Sequence, residues 1–230
     1  MISLCKELPE MECENAELIK IKCLYDTYFD DDKVLFWAQD ADKAVISMVD
    51  GNMIIYNNGA NTEELSQFVD IISPVCIYSD YETLSAIGKL PEERINIMSR
   101  KADVKGTAKS DNLSSKEIYE LLDVKGLSLP SYPYFAVDYC RRLNKGFADY
   151  FAIKDKCAAI VFKTEDTAII NGIASKEKGF GGVALKGILQ RVRGKTLFVC
   201  CRDSVKGFYE KYGFNMCYYG GYWLRNRERK

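Results

Sequence analysis

Residues 167–214 read TAIINGIASKEKGFGGVALKGILQRVRGKTLFVCCRDSVKGFYEKYGF. An apolar run over 167–174 enters the turn Gly179-Phe180-Gly181-Gly182. Beyond it Val183, Leu185, Ile188, Leu189 and Val192 recur near helical spacing, and Gly194 supplies a stop. TLFVCCR, residues 196–202, is a strongly apolar strand. DSVKGFYEKYGF then predicts a helix opened by Asp203 or Ser204 as N-cap, with Phe208 and Tyr212 on one face. Upstream, DYFAIKDKCAAIVFKTEDTAIINGIAS from Asp149 reads as three successive strands in a meander, with polar breaks at Lys154–Lys156 and Thr164–Asp166. MCYYGGYWL supplies a last strand. The order β-β-β-α-β-α-β implies a mixed-sheet α/β architecture.

The glycine turn between strand and helix is the first candidate site. Glycines let the backbone turn tightly and present successive N–H groups, and the helix start adds positive partial charge, which suits a pyrophosphate. Lys176 and Lys178 add full charges of the right sign. A Walker A loop is excluded, because no Lys-Ser or Lys-Thr pair follows these glycines. Gly179, Gly181 and Ala184 do satisfy the dinucleotide fingerprint, and Asp203 follows about 20 residues on. Chain length speaks against that reading, since too little sequence follows Gly182 for further βα units of roughly 30 residues each.

The third reading is coenzyme A. Lys176-x-x-Gly179-x-Gly181 resembles the [QR]-x-x-G-x-[GA] loop of the GNAT acetyltransferase superfamily, and Phe208-Tyr209-Glu210-Lys211-Tyr212-Gly213-Phe214 resembles its FYEKxGF segment. The resemblance covers about residues 130–230. It implies that acetyl-CoA lies where strands 167–174 and 195–202 splay, with backbone groups at Ile173, Ala174 and Ser175 bonding the pantetheine and acetyl carbonyl. N–H groups around Lys178, Gly179, Phe180, Gly181, Gly182 and Val183 would receive the pyrophosphate. It also implies that Tyr209 is the general acid that protonates the leaving thiolate, and that Arg202, Ser204 and Phe208 border the cofactor. Two positions depart from the pattern: Lys176 replaces Gln or Arg and loses planar bidentate donation, and Arg202 stands where the family often has Asn. No carboxylate lies on strand 167–174, so Glu165, Asp166 and Asp138 are the nearest general-base candidates, each read as a solvated charge. Cys200 and Cys201 alternate on their strand, one toward the cleft side and one away, and a covalent acetyl-cysteine route lacks an imidazole to activate it.

The N-terminal half repeats the order of elements. Ala38–Asp50 lies without gaps on Ala152–Thr164, and strand 53–58 lies on 167–172 in the same register. Helix-like TEELSQFVDII, strand PVCIYSD, helix-like YETLSAIGKL and strand RINIMS follow. The first half carries NNGANTEEL where the second has NGIASKEKGFGGVAL, so it lacks the glycine turn. The expected organisation is a degenerate GNAT-like lobe over 1–105, a linker over 106–130 with a short helix at Ser115–Asp123 capped by Ser114, and an acetyltransferase domain over 131–230 that starts with the helix Tyr134–Asn144.

Composition narrows the chemistry. The 230 residues are 47% hydrophobic and 28% charged, as in globular proteins. No histidine is present, which removes every catalytic triad built on imidazole and every His-ligated metal site. Thirty-two basic residues balance 33 acidic ones, so no nucleic-acid partner is suggested. The N-terminus MISLCKELPEME carries acids where a signal peptide would be basic and then apolar, and no apolar stretch reaches membrane-spanning length, so a cytoplasmic protein without membrane partners is expected. Nine cysteines without a C-x-x-C pair read as reduced, buried thiols. Tyr132, Tyr134, Tyr218, Tyr219, Tyr222 and Trp223 are candidates for an aromatic wall around an amine, and the basic end RNRERK is read as a solvated tail. The expected activity is transfer of an acetyl group from acetyl-CoA to a primary amine of a small molecule or peptide, by a monomer or homodimer that needs no metal. The alternative is a CoA-binding scaffold of the same fold without catalysis.

Overall fold

The computed structural model describes residues 1–40 and 42–225, so residues 226–230 of the basic end lie outside the described residues. The elements in chain order are β1 (Ile2–Leu4), α1 (Ala16–Tyr28), β2 (Val34–Gln39), β3 (Ala44–Val49), β4 (Asn52–Asn57), α2 (Thr62–Ile72), β5 (Cys76–Asp80), α3 (Tyr81–Ala86) and β6 (Arg94–Lys101). They continue as α4 (Ser115–Leu122), α5 (Tyr132–Asn144), β7 (Ala148–Ile153), β8 (Cys157–Lys163), β9 (Thr167–Ser175), α6 (Phe180–Arg191), β10 (Thr196–Cys201), α7 (Asp203–Lys211) and β11 (Asn215–Leu224). Two compact units result: Met1–Met98 with Cys200–Lys230, and Ser99–Val199. This division cuts differently from the continuous segments 1–105 and 131–230, because β11 runs antiparallel to β5, with Gly220 opposite Asp80 and Leu224 opposite Cys76.

In the first unit the strands lie in the order β1-β2-β3-β4-β5-β11-β6. Side chains alternate across the sheet with the period of two that a pleated strand imposes. Phe36 and Val45 join Leu18, Ile21 and Leu24 of α1 in one core, while Trp37 and Ile46 join Leu65 and Val69 of α2 in another. Helix α1 has no clean polar stripe: Glu17 and Thr27 are buried along with its apolar residues. That is why its periodicity is hard to read.

In the second unit the order is β10-β9-β8-β7, antiparallel except for the parallel pair β9–β10. Helices α4 and α5 cover one face through Ile118, Leu122, Phe135 and Tyr139, packed with Ala152, Ala158 and Ile160. Helix α4 opens with a reciprocal capping box between Ser114 and Glu117. Helix α5 begins at Tyr132, two residues before the expected start, with Pro133 in its first turn.

Both units therefore contain an antiparallel three-strand meander, a helix, and a strand parallel to the third. Ala44 and Ala158 occupy matching middle strands, but their partners show that the gap-free alignment does not extend to the next strand. Ala44 faces Asn57, whereas Ala158 faces Ala174 rather than Asn171. One cause is the first hairpin turn, a two-residue Asp50-Gly51 pair with both φ values positive (49° and 77°), where the second copy has the longer turn 164–166. The other is a bulge in β9: Ile160 faces Gly172 while Val161 faces Ile170, which leaves Asn171 unpaired.

Candidate functional site

The bulge marks a change in how β9 is held. Parallel pairing with β10 covers Thr167–Ile170 against Thr196–Val199 and ends there, although β9 continues to Ser175. From Gly172 to Ser175 its ladder is the one with β8. Asn171 is exposed, Ile173 and Ser175 are half-buried and Ala174 is buried, so this stretch offers backbone groups on the edge opposite β8.

The strand leads into the predicted glycine turn. Gly179 adopts φ 91°, a conformation that favours glycine, and is the N-cap of α6, which starts at Phe180 rather than at Val183. No side chain caps this helix and no acid sits in its first turn. The Phe180 N–H reaches the Glu177 carbonyl at 3.3 Å, while the Gly181 and Gly182 N–H groups have no partner among the described residues. Lys176 and Lys178 are exposed, and Val183 is exposed on the first turn. Lys156 stands beside them, 3.8 Å from the Glu177 carboxylate and 4.6 Å from the Phe180 ring centroid. The arrangement can accept an anion through backbone donors with positive side chains nearby.

The matching helix start in the first unit is closed. Asn61 caps α2, its side chain accepting the Glu64 N–H, and Glu63 and Glu64 fill the first turn with negative charge. An anion is disfavoured there by the same electrostatics that favour it at α6.

In the first unit, α7 carries Tyr209. Its ring is buried, edge-on to Phe208 at 5.1 Å and to Phe214 at 5.5 Å, and its hydroxyl has no hydrogen-bond partner among the described residues. Burial pushes its phenol well above the ordinary value, with the nearby Cys201 and Cys200 adding to the effect, so the group is a proton donor at neutral pH. The N-cap of α7 is Arg202, not Asp203 or Ser204, and no side chain caps the helix. Asp203 is held instead by Asn96, whose Nδ2 donates to it at 2.7 Å and to the Cys201 carbonyl at 3.3 Å. Arg202 pairs with Glu93 at 3.0 Å, and Ser204 is exposed. Asn96 is fully buried and lies on β6, far from the FYEK segment in sequence, so no local motif marks it.

The remaining candidates separate. Glu165 and Asp166 are exposed, and Asp138 pairs with Arg142 at 2.8 Å. Tyr218 and Tyr222 lie four residues apart on one face of β11 and meet α1 and β5, while Trp223, the next residue, meets Lys89. Tyr132 and Tyr134 belong to α5 of the other unit. Cys23, Cys157 and Cys201 are buried, five cysteines are half-buried and Cys217 is exposed, contrary to the expectation of buried thiols.

A polar cluster on α1 gives no sequence signal. The Tyr218 hydroxyl donates to Glu17 Oε2 at 2.5 Å and accepts the Ala16 N–H at 2.9 Å. Lys20 Nζ lies 3.6 Å from the Tyr78 ring centroid and donates to the Tyr222 hydroxyl at 3.1 Å, and the Tyr78 hydroxyl is 3.2 Å from Cys200 Sγ. Of the two strand cysteines, Cys200 is thus the one facing this cluster, while Cys201 Sγ lies 3.7 Å from Met98 Sδ. Burial holds the Cys200 thiol above its usual range despite the Lys20 ammonium, which pulls it the other way.

No protein-family model matches the chain, and no curated protein matches it. Among solved structures it is similar to a GCN5-related N-acetyltransferase from Sphaerobacter thermophilus, at TM-score 0.54 and 9% identity over 96% of this chain and 94% of that one. It is similar to a tandem GNAT protein from the clavulanic acid biosynthesis pathway, at TM-score 0.51 and 6% identity over 97% and 98% of the two chains. A conserved protein of unknown function from Bacteroides thetaiotaomicron also aligns, at TM-score 0.50 and 10% identity over 98% and 100%. At such identities the likeness is one of fold. The chain has the mixed α/β fold of GNAT proteins, including a tandem one. Among the described residues no helix is long and apolar enough to cross a membrane, and no cluster of three or more metal-ligating acids or cysteines is found.

Proposed function

We propose that the chain is an N-acetyltransferase that moves an acetyl group from acetyl-CoA to a primary amine of a small molecule or peptide. The observation that carries this reading is the open stretch of β9 beyond Ile170 running into the uncapped glycine start of α6. In this reading the backbone at Ile173, Ala174 and Ser175 holds the pantetheine arm and the acetyl carbonyl. The N–H groups of Gly181 and Gly182, with Lys176 and Lys178, hold the pyrophosphate, and Arg202, Ser204 and Phe208 border the cofactor. The first unit supplies a second, degenerate copy of the fold whose phosphate position is closed by Asn61, Glu63 and Glu64.

The chemistry follows from these groups. A neutral amine attacks the thioester carbon; the C–N bond forms, and the C–S bond breaks with its electron pair leaving on sulfur. Tyr209 gives its proton to that sulfur and regains one from solvent, and the amine's surplus proton goes to water. A phenol raised by burial can protonate a thiolate because the same desolvation raises the thiol. Backbone donors at the carbonyl lower the barrier as oxyanion charge develops.

Calorimetry with acetyl-CoA, followed by a free-thiol assay over an amine panel, tests the reading. Saturable binding with thiol release on at least one amine is expected. Binding without turnover on any amine would show a CoA-binding protein instead, and no binding would remove coenzyme A chemistry altogether.

A further inference from the structure

Helix α7 carries the proposed proton donor, yet little in the helix itself fixes where that donor points. It is nine residues long, no side chain caps it, and Tyr209 is its one buried residue. A helix so short is marginal by itself, so its direction depends on what grips its ends. Near Tyr209 the grip is apolar, through Phe208 and Phe214. At the start it comes from the first half of the chain, where residues 93, 96 and 98 all reach residues 201–203.

These contacts differ in weight. Glu93 pairs with Arg202 at 3.0 Å, but both side chains are more than half exposed, and such pairs contribute little. Cys201 Sγ lies 3.7 Å from Met98 Sδ, a contact between a weak donor and a weak acceptor. The Asn96 amide donates to Asp203 Oδ1 at 2.7 Å and to the Cys201 carbonyl at 3.3 Å. Its bond to the carboxylate is charge-assisted and starts from a fully buried residue, so water does not compete at the donor end.

Asn96 sits between the buried residues Ile95 and Ile97, and its Oδ1 has no hydrogen-bond partner among the described residues. A buried amide with an unpaired oxygen costs stability relative to an apolar side chain. Stability alone therefore does not account for this residue. What its Nδ2 secures is the turn from β10 into α7, and that turn sets the direction of the helix that bears Tyr209.

We propose that Asn96 is a positioning residue for Tyr209: by holding the Cys201 carbonyl and the Asp203 carboxylate at once, it fixes the start of α7 and with it the direction of the phenol. The proposal rests on the reading of Tyr209 as the proton donor of acetyl transfer, and it gives β6, a strand of the degenerate copy, a share in that step. A donor must lie within hydrogen-bond reach of the departing sulfur, so a small rotation of α7 is enough to disable it.

The test is a double-variant cycle on thiol release, with Asn96→Val, Tyr209→Phe and the two combined, and with acetyl-CoA calorimetry on each chain. Asn96→Val is expected to keep acetyl-CoA affinity within about twofold while kcat falls about tenfold or more. In the Tyr209→Phe background the same substitution should change the residual kcat by less than about twofold, because the group that Asn96 aims is already gone. A merely structural role would lower kcat by the same factor in both backgrounds, and that result would overturn the proposal, as would native kcat in Asn96→Val. Asp203→Ala, at an exposed position, removes the same bond from the other side and serves if Asn96→Val does not fold. It should lower kcat about threefold or more where Tyr209 is present and leave it unchanged where Tyr209 is absent, and native kcat in this variant would overturn the proposal too. Release of no thiol by the native chain on any amine would remove the acetyltransferase reading and this proposal with it, whereas release that Asn96→Val leaves intact would remove this proposal alone.

Discussion

Tyr218 on β11 donates a 2.5 Å hydrogen bond to Glu17 on α1, joining the last strand to the first helix within one unit. Burial raises the Glu17 carboxyl above its ordinary value, against the lowering effects of the Tyr218 hydrogen bond and the Lys20 charge. A carboxyl raised on folding adds stability that is fully present below its unfolded value and lost as pH rises through its folded value. Glu17→Gln is therefore expected to be more stable than the native chain at pH 7–8. The gain should shrink as pH falls and vanish below about 3, where the carboxyl is neutral in both states. Each kcal/mol corresponds to about 2–4 °C in melting temperature for a domain of 150–250 residues. Melting curves across that pH range check the sign, and a native chain as stable as the variant at pH 8 would contradict it.

A second close approach ties α6 to β7. A Cβ built on Gly187 would lie 2.3 Å from the Phe151 ring, which is itself fully buried. The helix sits against the strand at a distance only glycine permits, so the usual helix-propensity gain of about 1 kcal/mol from alanine cannot be realised. Gly187→Ala is expected to destabilise the protein by about 1–3 kcal/mol through overpacking. Denaturant unfolding measures the loss, and a Phe151→Leu background should recover part of it by vacating ring volume.

What could be read from sequence followed the reach of local signals. The strand-turn-helix run through Gly179 and the segment Phe208–Phe214 are continuous in the chain, and their residue types encode the turn and the helices that the structure shows. The Ser114 cap was legible because capping is a contact between residues three apart. The pairing of β11 with β5 was not, since no periodicity records which strand a strand will meet, and the slip between the two copies is hidden in one tight turn and one bulge. Glu17 and Asn96 escaped for the same reason: each takes its meaning from partners over 100 positions away.

Tyr209→Phe isolates the proposed proton donor. The hydroxyl bonds nothing among the described residues, and the ring contacts with Phe208 and Phe214 survive the substitution, so stability should change by less than about 0.5 kcal/mol. Acetyl-CoA affinity should hold, while turnover falls by about 10² or more, the usual worth of a general acid. Stopped-flow detection of released thiol alongside calorimetry separates the two quantities. Unchanged turnover would assign the proton to solvent and return Tyr209 to a packing role.

The two helix starts provide a paired prediction. Asn61→Ala removes the side-chain cap of α2, and a lost cap of this type costs about 1 kcal/mol. Gly179→Ala forces an L side chain into the left-handed region at φ 91°, and because nothing lies within 4 Å of the added Cβ, its cost is backbone strain of about 1–2 kcal/mol. The two variants should therefore lose comparable stability. They should differ in response to acetyl-CoA: the native chain and Asn61→Ala should show the same rise in melting temperature on saturation. Gly179→Ala should lose most of that rise, because the strained turn no longer aims the Gly181 and Gly182 N–H groups at the pyrophosphate. Equal ligand-induced shifts in both variants would place the phosphate contacts elsewhere than the α6 start.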